Sequence, residues 1–477
     1  MSKQDKTDIV YNILSRRTKN SILSENQRNK KIELVDLPKK VLQIIAKKYK
    51  KILKYELRDW VKDLLPLRKI HNEFLSQNSN AIDFLKDNIQ RINFDSLSDN
   101  TNPDAIKLLK MNINNENINW NKLSKNPAAI EILKENPNKI VWAYLCSNTN
   151  LEAIDMLKTK VENEENLSIK TYRQKNEYSF KYINWVNLSK NPAAIEIIKF
   201  ALNEEEKILK EEGYNAKSYL KVSWFSLSAN INAIEILSNN KDKIDWQELS
   251  RNQKAIKLII KKIEEDKEEL DKEYYKKLPP NYKIDWDVLS KNPAIFIPLK
   301  QIGRSKSITV SKLLSSNISP KNNLPSILDL SKDLQREIIS NYKSLVASKN
   351  ILRDGIPIDK LNWGYLSENP NAIDLLKERI DFEKSLLQDE YNKLPSKINW
   401  SSLCRNTDPG AIQLLYANQD KIDWSILSYN PNAIHLLEKR VKYQLKLQNE
   451  GKLDTLKTKE RISWIGLSSN SAIFVPI

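Results

Sequence analysis

Apolar residues in this chain recur in short blocks with the same internal spacing from one end to the other. In the block that starts at Ile118, Trp120 and Leu123 lie three residues apart, so they share one face of a short helix. Asn126 and Pro127 follow. An asparagine side chain can accept a hydrogen bond from a free first-turn N–H, and proline fits the first helical position, where no donor is needed. Beyond them Ala129, Ile130, Ile132 and Leu133 form an apolar stripe, and Glu131 and Lys134 face outward. The pattern predicts a helix–turn–helix unit with Trp120, Leu123, Ala129 and Ile130 in its core.

Copies of this unit place ten of the eleven tryptophans in one slot: Trp120, Trp142, Trp185, Trp224, Trp246, Trp286, Trp363, Trp400, Trp424 and Trp464. Phe94 fills an earlier equivalent, Trp60 lies outside the pattern, and Leu188 repeats the role of Leu123. The predicted helix caps are Asn102, Asn126, Asn150, Asn191, Asn369, Asp408 and Asn430. Around Asn102 and Asp408 the linker is two residues longer and the cap moves with it; Asn150 stands in the same longer form without a proline. Apart from the 77 residues between Trp286 and Trp363, steps between the slot tryptophans are short, 22 or 24 residues, or long, 37 to 43. The added residues are charged stretches such as 261–277, 378–393 and 438–459, expected to lengthen the second helix or add another.

Repetition at this period predicts an all-α fold, an α-solenoid of short helix–turn–helix repeats in two consecutive arrays. Ala294-Ile295-Phe296 and Ala472-Ile473-Phe474 replace the usual Ala-Ile-x-Leu-Leu face and are expected to end each array as a strand or turn. The starts at Asp36-Leu37 and Asp329-Leu330 also correspond. The expected organisation is a basic, flexible N-terminal arm over 1–32, a first array with opening helices and a C-terminal cap over 33–300, a linker or degenerate unit over 301–325, and a second array with its cap over 326–477.

Charge changes this picture only locally. The chain carries a net +17, of which residues 1–70 hold +11, leaving +6 over the remaining 407 residues. The repeats are therefore nearly balanced, and phosphate-backbone binding would centre on Lys47, Lys48, Lys50, Lys51 and Lys54. Cys146 and Cys404 stand in the Ser slot of their repeats, which suits a small buried hydroxyl substitute in a reducing compartment more than a disulfide. No long apolar run suggests membrane insertion.

Catalytic chemistry finds little support. His71 and His435 are the only histidines and have no ligand spacing around them, and the two cysteines form no zinc set. Glycine-rich phosphate loops and nucleophile elbows are missing from a chain with seven glycines. Asp245, Asp285 and Asp423 precede tryptophans, but Asn93, Asn119, Asn184, Asn362 and Asn399 take the same place, which fits capping and removes acid–base work. The sequence reads as a non-enzyme with no metal and no cofactor.

The strings Leu366-Ser367-Glu368-Asn369-Pro370-Asn371-Ala372-Ile373 and Leu427-Ser428-Tyr429-Asn430-Pro431-Asn432-Ala433-Ile434, with their Trp-containing spacers, resemble repeat proteins of giant DNA viruses of the mimivirus-like group. The resemblance covers about 72–297 and 358–477. It implies a viral origin, residence in infected host cytoplasm, a viral factory or the virion, and no catalytic residue. Leu37, Pro38, Leu42 and Ile45, with the later Leu64-Leu65-Pro66 segment, also resemble the start of an F-box, which implies a docking face for a ubiquitin-ligase adaptor. Three functions follow as expectations: a protein-interaction scaffold binding a viral or host protein, with a structural place in the virion as one form of that role; an F-box-like substrate adaptor; or a nucleic-acid binder acting through the basic segment.

Overall fold

The computed structural model describes residues 54–65, 69–165, 182–212, 221–298 and 350–476. Among them helix dominates, with four short strands. The chain divides into two compact bodies: one formed by residues 1–64, 298–351 and 472–477, the other by 65–297 and 352–471. The expected arm over 1–32, the 301–325 segment, and Leu37, Pro38, Leu42, Ile45, Lys47, Lys48, Lys50 and Lys51 lie outside the described residues, whereas Lys54 is described and exposed.

The second body holds the repeats. Each starts with a helix of four to six residues whose first position is the aromatic slot, as in Trp120–Lys125, Trp185–Lys190, Trp246–Leu249 and Trp424–Leu427. The preceding residue caps it in every unit but two, where His71 and Val141 make no side-chain cap. Asn119 accepts from the N–H groups of Asn121 and Lys122, Asp245 from Glu248 and Ser223 from Ser226. Any short side chain with an acceptor oxygen satisfies the free N–H, so Asn, Asp and Ser interchange.

The second half of the unit departs from the simplest expectation. Asn126, Asn191 and Asn430 cap a 3₁₀ turn (Pro127–Ala129, Pro192–Ala194, Pro431–Ala433), and the α-helix begins only at Ile130, Ile195 or Ile434. Ala129, at φ −91° and ψ 10°, lies off helical geometry and makes the bend between turn and helix. Asn369 likewise accepts from the N–H of Asn371. In the longer variants Asn102 and Asp408 cap α-helices directly, Pro103–Met111 and Pro409–Tyr416, and Asn150 accepts from the N–H of Glu152.

Leu123, Ala129, Ile130 and Leu188 are buried. The tryptophans correct the expected core. Trp246 and Trp424 are buried, but Trp120, Trp142, Trp185, Trp224, Trp286, Trp363, Trp400 and Trp464 are only half-buried. At the first position of its helix, one turn ahead of the buried leucine, the indole sits at the rim of the unit beside the polar cap, and one edge stays wet.

What joins the units is polar. The asparagine that ends each first helix is buried, and its amide donates backwards to main-chain carbonyls of the preceding unit. Asn126 Nδ2 reaches Ser98 O and Asn100 O, each at 3.0 Å, while its Oδ1 accepts from Ala128 N at 3.0 Å. Asn148, Asn191, Asn230, Asn252, Asn406, Asn430 and Asn470 repeat the paired donation. The serine two residues earlier runs a parallel rail. Ser228 Oγ donates to Trp224 O at 2.8 Å and accepts from Asp245 N of the next unit at 3.0 Å. Cys146 takes the serine's place, accepting from Asn184 N at 3.3 Å.

The ladder does not stop where the sequence pattern breaks. Asn369 donates to Ser290 O and Asn292 O, as if residues 298–351 did not intervene. Asn78, in the first unit, donates to Ser468 O and Asn470 O in the last, and His71 N donates to Ser468 Oγ at 2.9 Å. Twelve buried asparagines, from Asn78 to Asn470, thus make one closed hydrogen-bond circuit within this body.

The two Ala-Ile-Phe endings become strands. The strands are β1 (Tyr55–Leu57), β2 (Phe296–Pro298), β3 (Asn350–Leu352) and β4 (Phe474–Pro476); β1 pairs with β4 and β2 with β3. The β1–β4 pair is antiparallel, with Tyr55 opposite Pro476 and Leu57 opposite Phe474. Arg58 Nε donates to Ala472 O and Arg353 Nε to Ala294 O, so both ends are held by the same chemistry.

Removing one ladder amide leaves buried carbonyls of the previous unit and an N–H of its own unit without partners, each costing about 1–3 kcal/mol. Asn126→Ala is expected to lower the unfolding free energy by about 3 kcal/mol in urea titrations, while exposed Lys125→Ala changes it by less than about 0.5 kcal/mol.

Candidate interaction surface

The long units carry their extra residues in fixed places. Second helices extend over Leu151–Glu165, Ile195–Glu212, Ile373–Ser385 and Ile434–Asn449, and the unit at Trp246 adds a short helix, Glu273–Lys277, after Ile256–Glu265. In three of these units a side-chain acceptor on the second helix meets the backbone where the next unit begins. Glu205 accepts from Lys221 N and, at 2.8 Å, from Val222 N; Glu383 accepts from Ile398 N at 3.1 Å; Gln444 accepts from Ile462 N at 2.7 Å. In the Trp246 unit the Tyr275 hydroxyl donates to Asp266 at 2.6 Å, and Lys262 pairs with the same carboxylate at 2.9 Å. Burial, and then that bond, raise the Tyr275 phenol above its ordinary range.

Cations lie over several of the indole faces. Arg379 lies 4.6 Å from the centre of Trp363 and 5.1 Å from Phe382, and Arg440 lies 4.9 Å from both Trp424 and Tyr443. Each arginine also donates to the chain leading to the next unit, Arg379 to Ser396 O and Arg440 to Glu460 O. Lys160 over Trp142 and Lys262 over Trp246 also come from the unit's own second helix, whereas in three units the cation comes from the following unit. Lys221 covers Trp185, Lys243 covers Trp224, and Lys69 covers Trp464 across the closure. Such contacts contribute about 0.5–2 kcal/mol each, more where water is excluded.

The surface that remains varies from unit to unit. The position after the aromatic slot is Glu73, Asp95, Asn121, Ala143, Val186, Phe225, Gln247, Asp287, Gly364, Ser401, Ser425 and Ile465 in order. Val186 is 54% and Phe225 55% exposed, on first helices of consecutive units that pack together, Trp185–Lys190 and Trp224–Ser228. Further exposed aromatics, Phe382, Tyr416 and Tyr443, lie on second helices. These side chains could anchor a partner, because apolar groups left in water near fixed polar neighbours gain most from being covered.

No group among the described residues gathers three or more metal-ligating side chains. His71 lies at the start of the first unit and His435 on the second helix Ile434–Asn449, both exposed. Cys146 and Cys404 form no disulfide and are buried, and burial pushes the Cys404 thiol up to about 12, far from a reactive thiolate. No described helix is long and apolar enough to cross a membrane.

The structure thus places the leucine, alanine, isoleucine and asparagine positions in the frame and all the slot tryptophans but Trp246 and Trp424 at its rim. Three things were missed from sequence: the backward reach of the asparagine amide, the cation over each covered indole, and the acceptors Glu205, Glu383 and Gln444. One signal was present: in ten of twelve units a Lys or Arg stands three residues before the aromatic slot. No family model, curated protein or solved structure matches the chain.

Burial, opposed by its two backbone bonds, raises the Glu205 carboxyl above the ordinary value. A folded pKa above the unfolded one means the folded state holds its proton longer, so stability falls as pH rises through that window. Glu205→Gln keeps the acceptor oxygen without the charge. It is expected to raise Tm at pH 7 and to lose that gain near pH 4, as followed by thermal melts at both values.

Proposed function

We propose that the second body is a ring-closed α-solenoid, assembled from the two repeat arrays, that serves as a non-enzymatic scaffold for binding another protein. The observation behind this reading is the division of labour within each unit. Leucine, serine or cysteine, and asparagine recur in all twelve first helices and are buried, while the position after the aromatic slot is half-buried or exposed and differs from unit to unit. A frame held constant beneath a varied surface suits recognition of an extended protein, and Val186 and Phe225 supply its apolar centre. With a viral origin, as the repeat strings imply, the partner would be a capsid or core component or a host protein, met in infected cytoplasm, a viral factory or the virion.

A second reading draws on the charge. Residues of the first body carry 26 Lys or Arg against 11 Asp or Glu, a net +15, which leaves +2 for the repeats. That separation favours a polyanion, such as nucleic acid, for the first body alone. The F-box-like segment at Leu37, Pro38, Leu42 and Ile45 belongs to the same stretch of sequence and would instead recruit a ligase adaptor.

Crosslinking mass spectrometry on the tagged full chain from infected cells and from purified particles, with and without nuclease, separates these readings. The scaffold reading expects nuclease-resistant crosslinks to one protein, in stoichiometric amount, reduced at least about tenfold by Val186→Ser with Phe225→Ser. Capture that survives those changes but disappears on neutralising Lys47, Lys48, Lys50, Lys51 and Lys54, or after nuclease, would overturn it in favour of the polyanion. Crosslinks from residues 37–70 to ligase components would favour the adaptor.

A further inference from the structure

The closed circuit has one junction unlike the rest. Each of the others is crossed by the chain itself, but the junction between the last unit and the first joins residues about 390 positions apart in sequence and is held only by non-covalent bonds. Its ladder bonds are the longest of the circuit. Asn78 Nδ2 lies 3.4 Å from Ser468 O and 3.3 Å from Asn470 O, whereas the corresponding bonds of Asn126, Asn191, Asn369 and Asn430 span 2.8–3.1 Å.

The first unit is also built more weakly. Asn72 takes the aromatic slot, and His71, in the cap position, makes no side-chain capping bond. On the other side of the junction the last unit has no second helix, since its chain turns from a 3₁₀ turn into β4. Three contacts near the rim compensate: Asn80 Nδ2 to Ser471 O at 3.1 Å, Lys69 Nζ to Gln448 Oε1 at 2.9 Å, and Lys69 over Trp464 at 4.6 Å.

We propose that this junction is a clasp, the place where the closed array opens reversibly while every other junction stays shut. Opening at an interior junction would break the same bonds yet gain little, because the chain itself still links the two sides. Opening here frees both faces once the β1–β4 pair and the Arg58 bond to Ala472 O, which join the chain segments flanking the junction, also part. The junction between Asn292 and Asn369 is the natural control: its earlier unit also ends in a strand, β2, but its ladder bonds are short, its unit keeps Trp363, and the chain crosses it.

Hydrogen exchange followed by mass spectrometry on the full chain tests this through matched amides. His71 N, Asn93 N, Asn119 N and Asn362 N each donate to the serine hydroxyl of the preceding unit. The clasp predicts that His71 exchanges at least about tenfold faster than Asn93, Asn119 and Asn362. Lys69→Cys with Gln448→Cys, bridged by a short bismaleimide, should bring His71 to within about twofold of Asn93; Cys146 and Cys404 are buried and do not compete for the reagent. Equal protection of His71 and Asn93 in the unbridged protein overturns the proposal. Fast exchange at His71 that persists after bridging also overturns it, since that is local fraying and not opening. Failure of the bridge to form within one chain contradicts the closure on which the clasp depends.

Discussion

One buried amide, repeated twelve times, sets the terms for the rest of the repeat body. Each ladder asparagine is out of water, so its two amide protons and its oxygen must find partners or impose a penalty of several kcal/mol. The oxygen turns inward and fixes the turn that begins its own second helix; the amide turns backward and fixes the distance to the previous unit. Local conformation and unit-to-unit geometry are therefore set by the same side chain. The neighbouring serine adds a second fixed distance, and leucine at the buried position supplies the apolar contact that keeps water from competing.

With the frame defined by so few atoms, the outer positions are free to differ. Second helices vary from six residues, Ile130–Glu135, to eighteen, Ile195–Glu212, without disturbing the ladder. The extra length is then tied down by its own devices, a carboxylate or amide oxygen that meets the backbone ahead of the next unit and an arginine held between two rings. This permits a surface whose features change from unit to unit over a constant base, the property from which the proposed scaffold role is argued.

Much of the unit was legible in the sequence because helical spacing and capping are local. Leu123 and Ala129 belong to the core on periodicity alone, and Asn102 and Asp408 follow the longer linker as caps. The tryptophans misled because large aromatics usually signal a core; here their place at the first helical position leaves eight of the ten half-buried, several with a cation over the ring. The closure could not be read, because nothing in the spacing of Asn78 and Asn470 reports that they face one another across the whole chain. Residues such as Glu205 were hidden for the same reason: a charged residue in a helix of alternating Glu and Lys looks solvated until its neighbour in space is known.

The closed circuit is tested most directly by spin labels placed in one slot of different units. Gln77→Cys and Ser469→Cys put labels just before the ladder asparagine in the first and last units, and Asp99→Cys with Lys125→Cys puts them in the same slot of two units adjacent in sequence. Electron paramagnetic resonance on each doubly labelled full chain should give the same short distance distribution for both pairs, because the first and last units are neighbours. A broad, long distribution for the 77–469 pair beside a short one for 99–125 would show an open array and contradict the account.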